Sequence, residues 1–484
     1  MKMRVSKLFP VLVLAAACGD SRIGVDARVR IDAPRFDGNI VDGRVDGGVD
    51  GGLLDAANPD APLSTVTRVW VMGDLAVNNE LRAGTFTDGD TLPVTPTLIP
   101  ATGNLSSNGK SFDASANGTK IAYIADSTVA GRFDLFLANA DGSNPVTVLE
   151  APTGVILSSV LFSPDGTKIA YLADPALPGM KDLFMVPATA NATPVQLSPA
   201  RVTNLATLDV ASSFVWSANS KYIGYIAEIA ADTFNEALVV DTSVATPVSA
   251  FVIPRTDIAT QTAGGLQGTS GFAAFDNAGH VFFRAKLADA GQFILYRANV
   301  DGTARAAQTF APARGDASIA DFGAFATTAD GTKMVFAVDA PTLGTYQLYS
   351  VTLATPTPVK MTAATNANTE PAFNIPLMIS PDGTKVAFAA DYESNGDFEP
   401  HVAKLDGTGD LRLADVTVMS TDTEALAWTR DGSAVYCQGD LLVNNDTRIF
   451  RLAANTADQA LIGALAGMPA VSADVEFVFT VPKP

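Results

Sequence analysis

The hexapeptide Ser-Pro-Asp-Gly-Thr-Lys occurs twice, at Ser163–Lys168 and Ser380–Lys385. Diverged copies stand at Ser115–Gly118, Ser217–Ser220, Asp276–Gly279, Thr328–Gly331 and Thr429–Gly432, and a short apolar run such as Ile169–Ala173 or Val386–Ala390 follows each. Within the hexapeptide every residue suits a tight turn. Proline presets φ, aspartate bonds the backbone ahead, and glycine accepts positive φ. Repetition at roughly fifty residues means one supersecondary unit packed on copies of itself.

The segment Leu161–Leu197 serves as the type unit. A strand ends at Phe162, the turn follows, and strands are predicted at Ile169–Ala173, Asp182–Val186 and Pro194–Leu197. The third strand aligns at eight places: Leu81–Phe86, Asp134–Ala138, Asp182–Val186, Ala237–Asp241, Phe293–Arg297, Gln347–Val351, His401–Leu405 and Arg448–Leu452. The pattern predicts an all-β fold, a β-propeller of four-stranded antiparallel blades. Eight blades are expected, or seven if residues 205–253 pack irregularly. Gly73–Asn79 matches Gly439–Asn445, so the first unit lacks its first strand, while Val475–Val481 is a spare strand at the other end. Placing that strand in the first blade closes the ring and removes an exposed edge.

The run Ser163–Asp174, followed by Asp182-Leu183-Phe184, and its second copy Ser380–Asp391 resemble the TolB-type (WD40-like) propeller repeat. The resemblance covers nearly all of residues 65–484. It implies the propeller fold, but this repeat serves binding proteins and enzymes alike, so it implies no single activity. The α/β domain that precedes the propeller in TolB has no counterpart here.

Lys2, Arg4 and Lys7 form a positive head, Leu8–Ala17 an apolar stretch, and Cys18 follows three alanines. Ten apolar residues are too few for a permanent span, which needs about 20, so residues 1–17 have the form of an export signal. Leu14–Gly19 resembles the bacterial lipoprotein box, which implies cleavage before Cys18 and lipidation of its thiol. Ordinary secretion with a free amino-terminal Cys18 is the alternative. Gly19, in place of aspartate, implies the outer membrane. Residues 18–62 carry an aspartate every four to six positions among Gly, Ala, Pro and Arg, with Phe36 the one aromatic. Such a segment is expected to be a disordered tether. The expected organisation is therefore signal peptide 1–17, tether 18–62 and propeller 63–484, in a lipoprotein of the cell envelope, periplasmic or surface-exposed.

The net charge of −19 argues against nucleic acid as a partner. Two cysteines supply no disulfide framework, and Cys437 lies in an apolar run as a buried thiol. No G-x-S-x-G elbow occurs, and the two histidines, His280 and His401, fall in different units. No catalytic role and no cofactor are expected. One segment has the pattern of a calcium loop: Asp391, Glu393, Asn395, Asp397 and Glu399 alternate around Gly396. A polar hairpin turn would use the same residues.

Alignment places Asp126, Asp174, Glu228, Asp339 and Asp391 at the ends of second strands, with Asp74 and Asp440 one place later and Lys286 the exception. Strand direction puts them at one end of the sheets. They form a candidate acidic binding face that would attract a basic segment or a cation; turn chemistry spread by duplication is the alternative. The function expected is a lipid-anchored, non-enzymatic scaffold for an envelope protein or peptide. The alternative is a carbohydrate-binding or carbohydrate-processing surface lipoprotein, which would need exposed aromatic residues. Trp70, Trp216 and Trp428 are the three tryptophans, and Trp70 and Trp428 fall in predicted strands.

Overall fold

The computed structural model describes residues 66–482 except 74–79, 88–96, 100–105, 107–110, 175–179, 200–208, 229–235, 254–273, 286–292, 313–321, 343–344, 363–375, 393–397, 415–422, 430, 440, 442–447 and 460–474. The tether, the export signal and Cys18 lie outside the described residues.

Among the described residues every strand pairing is antiparallel, and the strands form eight sheets, seven of four strands and one of three. The second sheet holds Phe112–Ala114, Lys120–Val129, Arg132–Asn139 and Val146–Leu149. The third holds Leu157–Phe162, Lys168–Ala173, Asp182–Pro187 and Val195–Gln196. The fourth follows with Asp209–Trp216, Tyr222–Glu228, Glu236–Asp241 and Ser249–Ile253, so four strands of the unit at 205–253 pair as a sheet, with register shifts at Val210/Phe214 and Ala237/Leu238. The fifth consists of Ala274–Phe275, His280–Ala285, Ile294–Asn299 and Ala306–Ala307, and the sixth of Phe322–Thr327, Lys333–Val338, Gln347–Thr352 and Thr355–Lys360. The seventh is Met378–Ile379, Lys385–Ala390, Glu399–Lys404 and Asp410–Arg412, and the eighth Thr423–Trp428, Ala434–Gly439 and Arg448–Ala453. In the first sheet Val66–Gly73, Glu80–Thr87 and Thr97–Ile99 are joined by Val475–Pro482, which pairs with Val66–Gly73. The arrangement is that of a β-propeller.

Why the sheets stack follows from their residues. Strands rich in Ile, Val, Tyr and Phe expose two apolar faces, and each face must be covered. Among the described residues the buried clusters lie between consecutive sheets, and the one that joins the seventh and eighth also holds Phe112 and Tyr123 of the second. Ile124, Val160 and Tyr171 join the second and third sheets, Leu172 and Trp216 the third and fourth, and Val239 and Phe283 the fourth and fifth. Phe282 and Phe336 join the fifth and sixth, Leu348 and Phe388 the sixth and seventh, and Val402 and Trp428 the seventh and eighth. Main-chain and side-chain bonds cross the same seams. The Asp113 carboxylate accepts the Phe162 amide at 2.7 Å, and Trp428 Nε1 donates to the Met378 carbonyl at 2.7 Å.

The outer strands are sealed by the next sheet. The amides of Asn191 and Ala192 donate to the carbonyls of Thr147 and Val148, and those of Asp458 and Gln459 to Arg412 and Leu413. Gly302 and Gly407 lie against the carbonyls of Phe251 and Lys360 in the same way. Each such contact covers acceptors that a lone edge would present to other chains.

The repeated turn has one construction in every sheet from the second to the eighth except the fifth, where Asp276 replaces the hydroxyl residue. Ser163 Oγ donates to Asp165 Oδ1 and accepts the amide of Lys168 at 3.0 Å, while the amide and hydroxyl of Thr167 donate to Asp165 Oδ1. Ser380 with Asp382, Thr328 with Asp330, Thr429 with Asp431 and Ser115 with Asn117 repeat the hydroxyl-to-side-chain bond. Burial raises the carboxyls of Asp165, Asp330, Asp382 and Asp431, but hydrogen bonds from the flanking Ser and Thr residues outweigh it and hold all four below the ordinary aspartate value. A second turn joins third and fourth strands, where Asp301 and Asp406 accept the hydroxyl and amide of Thr303 and Thr408 and are lowered by those bonds.

These lowered carboxyls bind protons more weakly in the folded chain than in the unfolded one. Their stabilisation is therefore full above the ordinary aspartate value of about 3.9 and is lost as pH falls through the lowered folded values. Thermal unfolding should show a midpoint that is level near neutrality and drops in acid, and Asp382→Asn should make the acid limb shallower. An unchanged limb in that variant refutes the role given to the turn.

Glycine at these turns has two separable duties. A Cβ on Gly166, whose φ is +71°, would meet its nearest atom at 3.8 Å, whereas one on Gly331 would lie 2.2 Å from the Asn277 amide of the preceding sheet. Gly166→Ala should lose about 1–2 kcal/mol from the left-handed backbone alone. Gly331→Ala should lose more, because the two turns must also separate. Denaturant unfolding of the two variants measures the difference.

Candidate functional site

The candidate acidic face is built from the ends of the second strands. Asp126 lies in the strand Lys120–Val129 and accepts the Gly131 amide at 3.2 Å, which fixes the hairpin into the third strand. Asp174 follows Lys168–Ala173 and is 5% exposed. Its Oδ1 accepts the Ile156 amide at 2.5 Å, and its own amide donates to the Ile156 carbonyl at 3.2 Å. This reciprocal pair ties the entry of the first strand to the exit of the second. Asp339 and Asp391 occupy the same place in the sixth and seventh sheets and are 3% and 2% exposed. Glu228 ends its strand as predicted. Asp74 and Asp440 lie outside the described residues.

Three of the four described aspartates of this set, Asp174, Asp339 and Asp391, are buried rather than offered to solvent. A buried ionised carboxylate must be hydrogen-bonded, and Asp174 meets that need with backbone. Asp126 is the described member that keeps a partly exposed carboxylate. The electrostatic mouth that the pattern suggests is thus reduced among the described residues.

A second set of acids lies at the starts of the third strands, and of these the sequence singled out Glu399 alone, as a calcium ligand. Asp134 is the third residue of Arg132–Asn139, while Asp182, Glu236 and Glu399 open their strands, and all four are buried. Asp134 Oδ1 accepts the Ala151 amide at 2.9 Å and pairs with Arg132 at 2.8 Å. Asp182 accepts from Ser198 Oγ at 3.2 Å, and Glu399 from Arg412 Nη1 at 3.3 Å. Each bond holds the fourth strand or the connection just beyond it. The Asp-Leu-Phe after the second strand was the available signal, and it read as strand rather than as a clamp.

The calcium pattern is divided in the fold. Glu393, Asn395 and Asp397 lie outside the described residues, Asp391 ends a strand, and Glu399 opens the next, its carboxylate engaged by Arg412. Among the described residues no group of three or more His, Cys, Asp or Glu is disposed to hold a metal. His280 and His401 sit in the fifth and seventh sheets, and Cys437 is fully buried in the eighth. Trp216 and Trp428 are 4% and 0% exposed, so neither presents its ring to a ligand.

No protein-family model and no curated protein matches the chain. Solved structures do. Dipeptidyl peptidase 4 of Porphyromonas gingivalis aligns with a TM-score of 0.53 at 12% identity over 79% of this chain and 57% of its own. A prolyl endopeptidase aligns at 0.49 and 13% identity over 75% of this chain and 50% of its own, and TolB of Acinetobacter baumannii at 0.33 and 16% over 72% and 79%. The likeness is one of fold. This chain spans about half the length of the peptidases it matches.

The two roles of the strand-end aspartates separate experimentally. Asp174→Ala removes the acceptor of the Ile156 amide, a part-buried bond at the entry of the first strand, and should lose about 0.5–1.5 kcal/mol of stability. Asp126→Asn keeps an acceptor at a partly exposed hairpin and should change stability by less than about 0.5 kcal/mol. Equal losses in chemical denaturation would contradict this division.

Proposed function

We propose that the protein is a lipid-anchored propeller of the cell envelope that presents its loops to a protein or peptide partner and catalyses no reaction. The observation that carries the reading is the use made of its polar residues. Serine, threonine and aspartate at the repeated turns, and the acids at both ends of the loop between second and third strands, are bound to the backbone or to one another. That economy produces a rigid frame whose connections are pre-ordered, which lowers the entropy lost on binding a partner. In this reading eight blades form a ring closed by Val475–Pro482, the working face holds Asp126, and the lipid on Cys18 with the tether of 18–62 holds the ring off the membrane. A flexible tether of that length reaches about 35 Å. The carbohydrate alternative draws no support from Trp216 or Trp428, both of which are spent on the core.

Three variants test the anchor and the face together. Cys18→Ser should move the protein from the membrane fraction to the soluble fraction. A photo-crosslinking residue at position 126 should capture one dominant partner in intact cells, while the same residue at position 406, in a third-to-fourth-strand turn, should capture none. Equal capture at both positions overturns the assignment of the working face. Capture at neither, with a positive glycan-array screen, would favour the carbohydrate reading.

A further inference from the structure

The eighth sheet ends its third strand differently from the second, fifth and seventh. In those three the strand closes on Asn139, Asn299 and Lys404, whose amides donate to the carbonyls of Ser143, Thr303 and Gly409, each at 2.9 Å. Their carbonyls accept the amides of Gly142, Gly302 and Gly407. The corresponding residue of the eighth sheet is Ala453, and the run Ala454–Gln459 that follows contains no glycine. We infer that Gln459 is a latch, a side chain that closes the strand end at Ala453 in place of a glycine turn and fastens it to the outer edge of the seventh sheet.

A carboxamide carries the donor and the acceptor of a peptide group. Gln459 Oε1 accepts the Ala453 amide at 2.8 Å, and Nε2 donates to the Ala453 carbonyl at 2.9 Å. This is the two-bond exchange by which opposed residues of antiparallel strands pair. The Thr456 amide meets the same Ala453 carbonyl only at 3.4 Å, so the side chain supplies the better donor. Nε2 also lies 2.9 Å from the Thr456 carbonyl and 3.3 Å from that of Leu413. Oxygen and nitrogen cannot trade places here. A flipped carboxamide would set its N–H against the Ala453 N–H and its oxygen against three carbonyls.

The residues beside the latch grip the seventh sheet. The amides of Asp458 and Gln459 donate to the carbonyls of Arg412 at 3.2 Å and Leu413 at 2.8 Å. Asp458 Oδ1 accepts from Arg412 Nε at 2.7 Å, and Arg412 Nη1 reaches Glu399 Oε1 at 3.3 Å. Arg412 ends the fourth strand of that sheet and Glu399 opens its third. Asp458 has φ of +44°, a left-handed conformation that aspartate adopts more readily than most side chains. It stands immediately before Gln459, whose main chain bonds the seventh sheet and whose side chain bonds the eighth. One residue spans two edges, so the strand end at Ala453 and the seam at Leu413 open as one unit.

Hydrogen exchange of the full chain, resolved by residue, tests the latch. In the parent protein the Ala453 amide and the Nε2 protons of Gln459 should be protected. Gln459→Ala should speed exchange at Ala453 about tenfold, and at positions 458 and 459 with it, while the Asn139 amide keeps its rate. Gln459→Glu keeps the size and an acceptor but loses both donors, so it should restore no protection. Unchanged exchange at Ala453 in both variants, or an equal gain at Asn139, overturns the latch. If neither variant folds, the parent decides alone, because Nε2 protons that exchange as fast as those of free glutamine refute it.

Discussion

The hydrogen bond from a hydroxyl to an aspartate two residues on is the interaction on which the rest of this structure depends. It fixes a turn whose amides and carbonyls would otherwise compete for water. Fixing the turn fixes the register of first and second strands, and register decides which side chains face each seam. A slip of one residue at Lys168 would send Ile169 and Tyr171, both buried between the second and third sheets, to the opposite face. The same bond also sets the charge of the turn. A lowered aspartate stays ionised and keeps accepting, so local electrostatics and packing agree.

Two scales of contact then join these units. Apolar faces meet sheet to sheet, which is how the chain exceeds the size that one hydrophobic core supports. Polar contacts pass from each sheet to the next, at the inner strand through Asp113 and Trp428, and at the rim through Asn191, Ala192, Asp458 and Gln459. The rim contacts use backbone donors, so they tolerate sequence drift among the repeats. That tolerance explains how Asp458–Gln459 performs the duty of Asn191–Ala192 without resembling it.

Much of this fold was legible in the sequence because turn chemistry is local. Proline, aspartate and glycine at fixed offsets identify a turn whatever surrounds them, and the apolar run behind each turn is a strand on either side of a seam. The same locality limits what can be read about a site. Asp126 and Asp174 are indistinguishable in the repeat, yet one caps a partly exposed hairpin and the other is buried against Ile156, because the loop that covers Asp174 comes from earlier in the chain. Burial of Asp134 and Glu399 was illegible for the same reason. Their partners, Ala151 and Arg412, lie beyond a whole strand. Asp276 stands where the other turns carry a hydroxyl and still caps its own turn, its Oδ1 accepting the amides of Ala278 and His280.

The pairing of Val66–Gly73 with Val475–Pro482 also sets a timetable. Ribosomes deliver the chain from its first residue onward, so the sheet that is begun earliest is the last to be completed. Sheets two to eight each hold their strands within one continuous stretch and can form as they emerge. The first sheet must wait, with an open strand edge, until residue 482 has been made. Any factor that guards this nascent protein against misassociation would have its longest task at that edge.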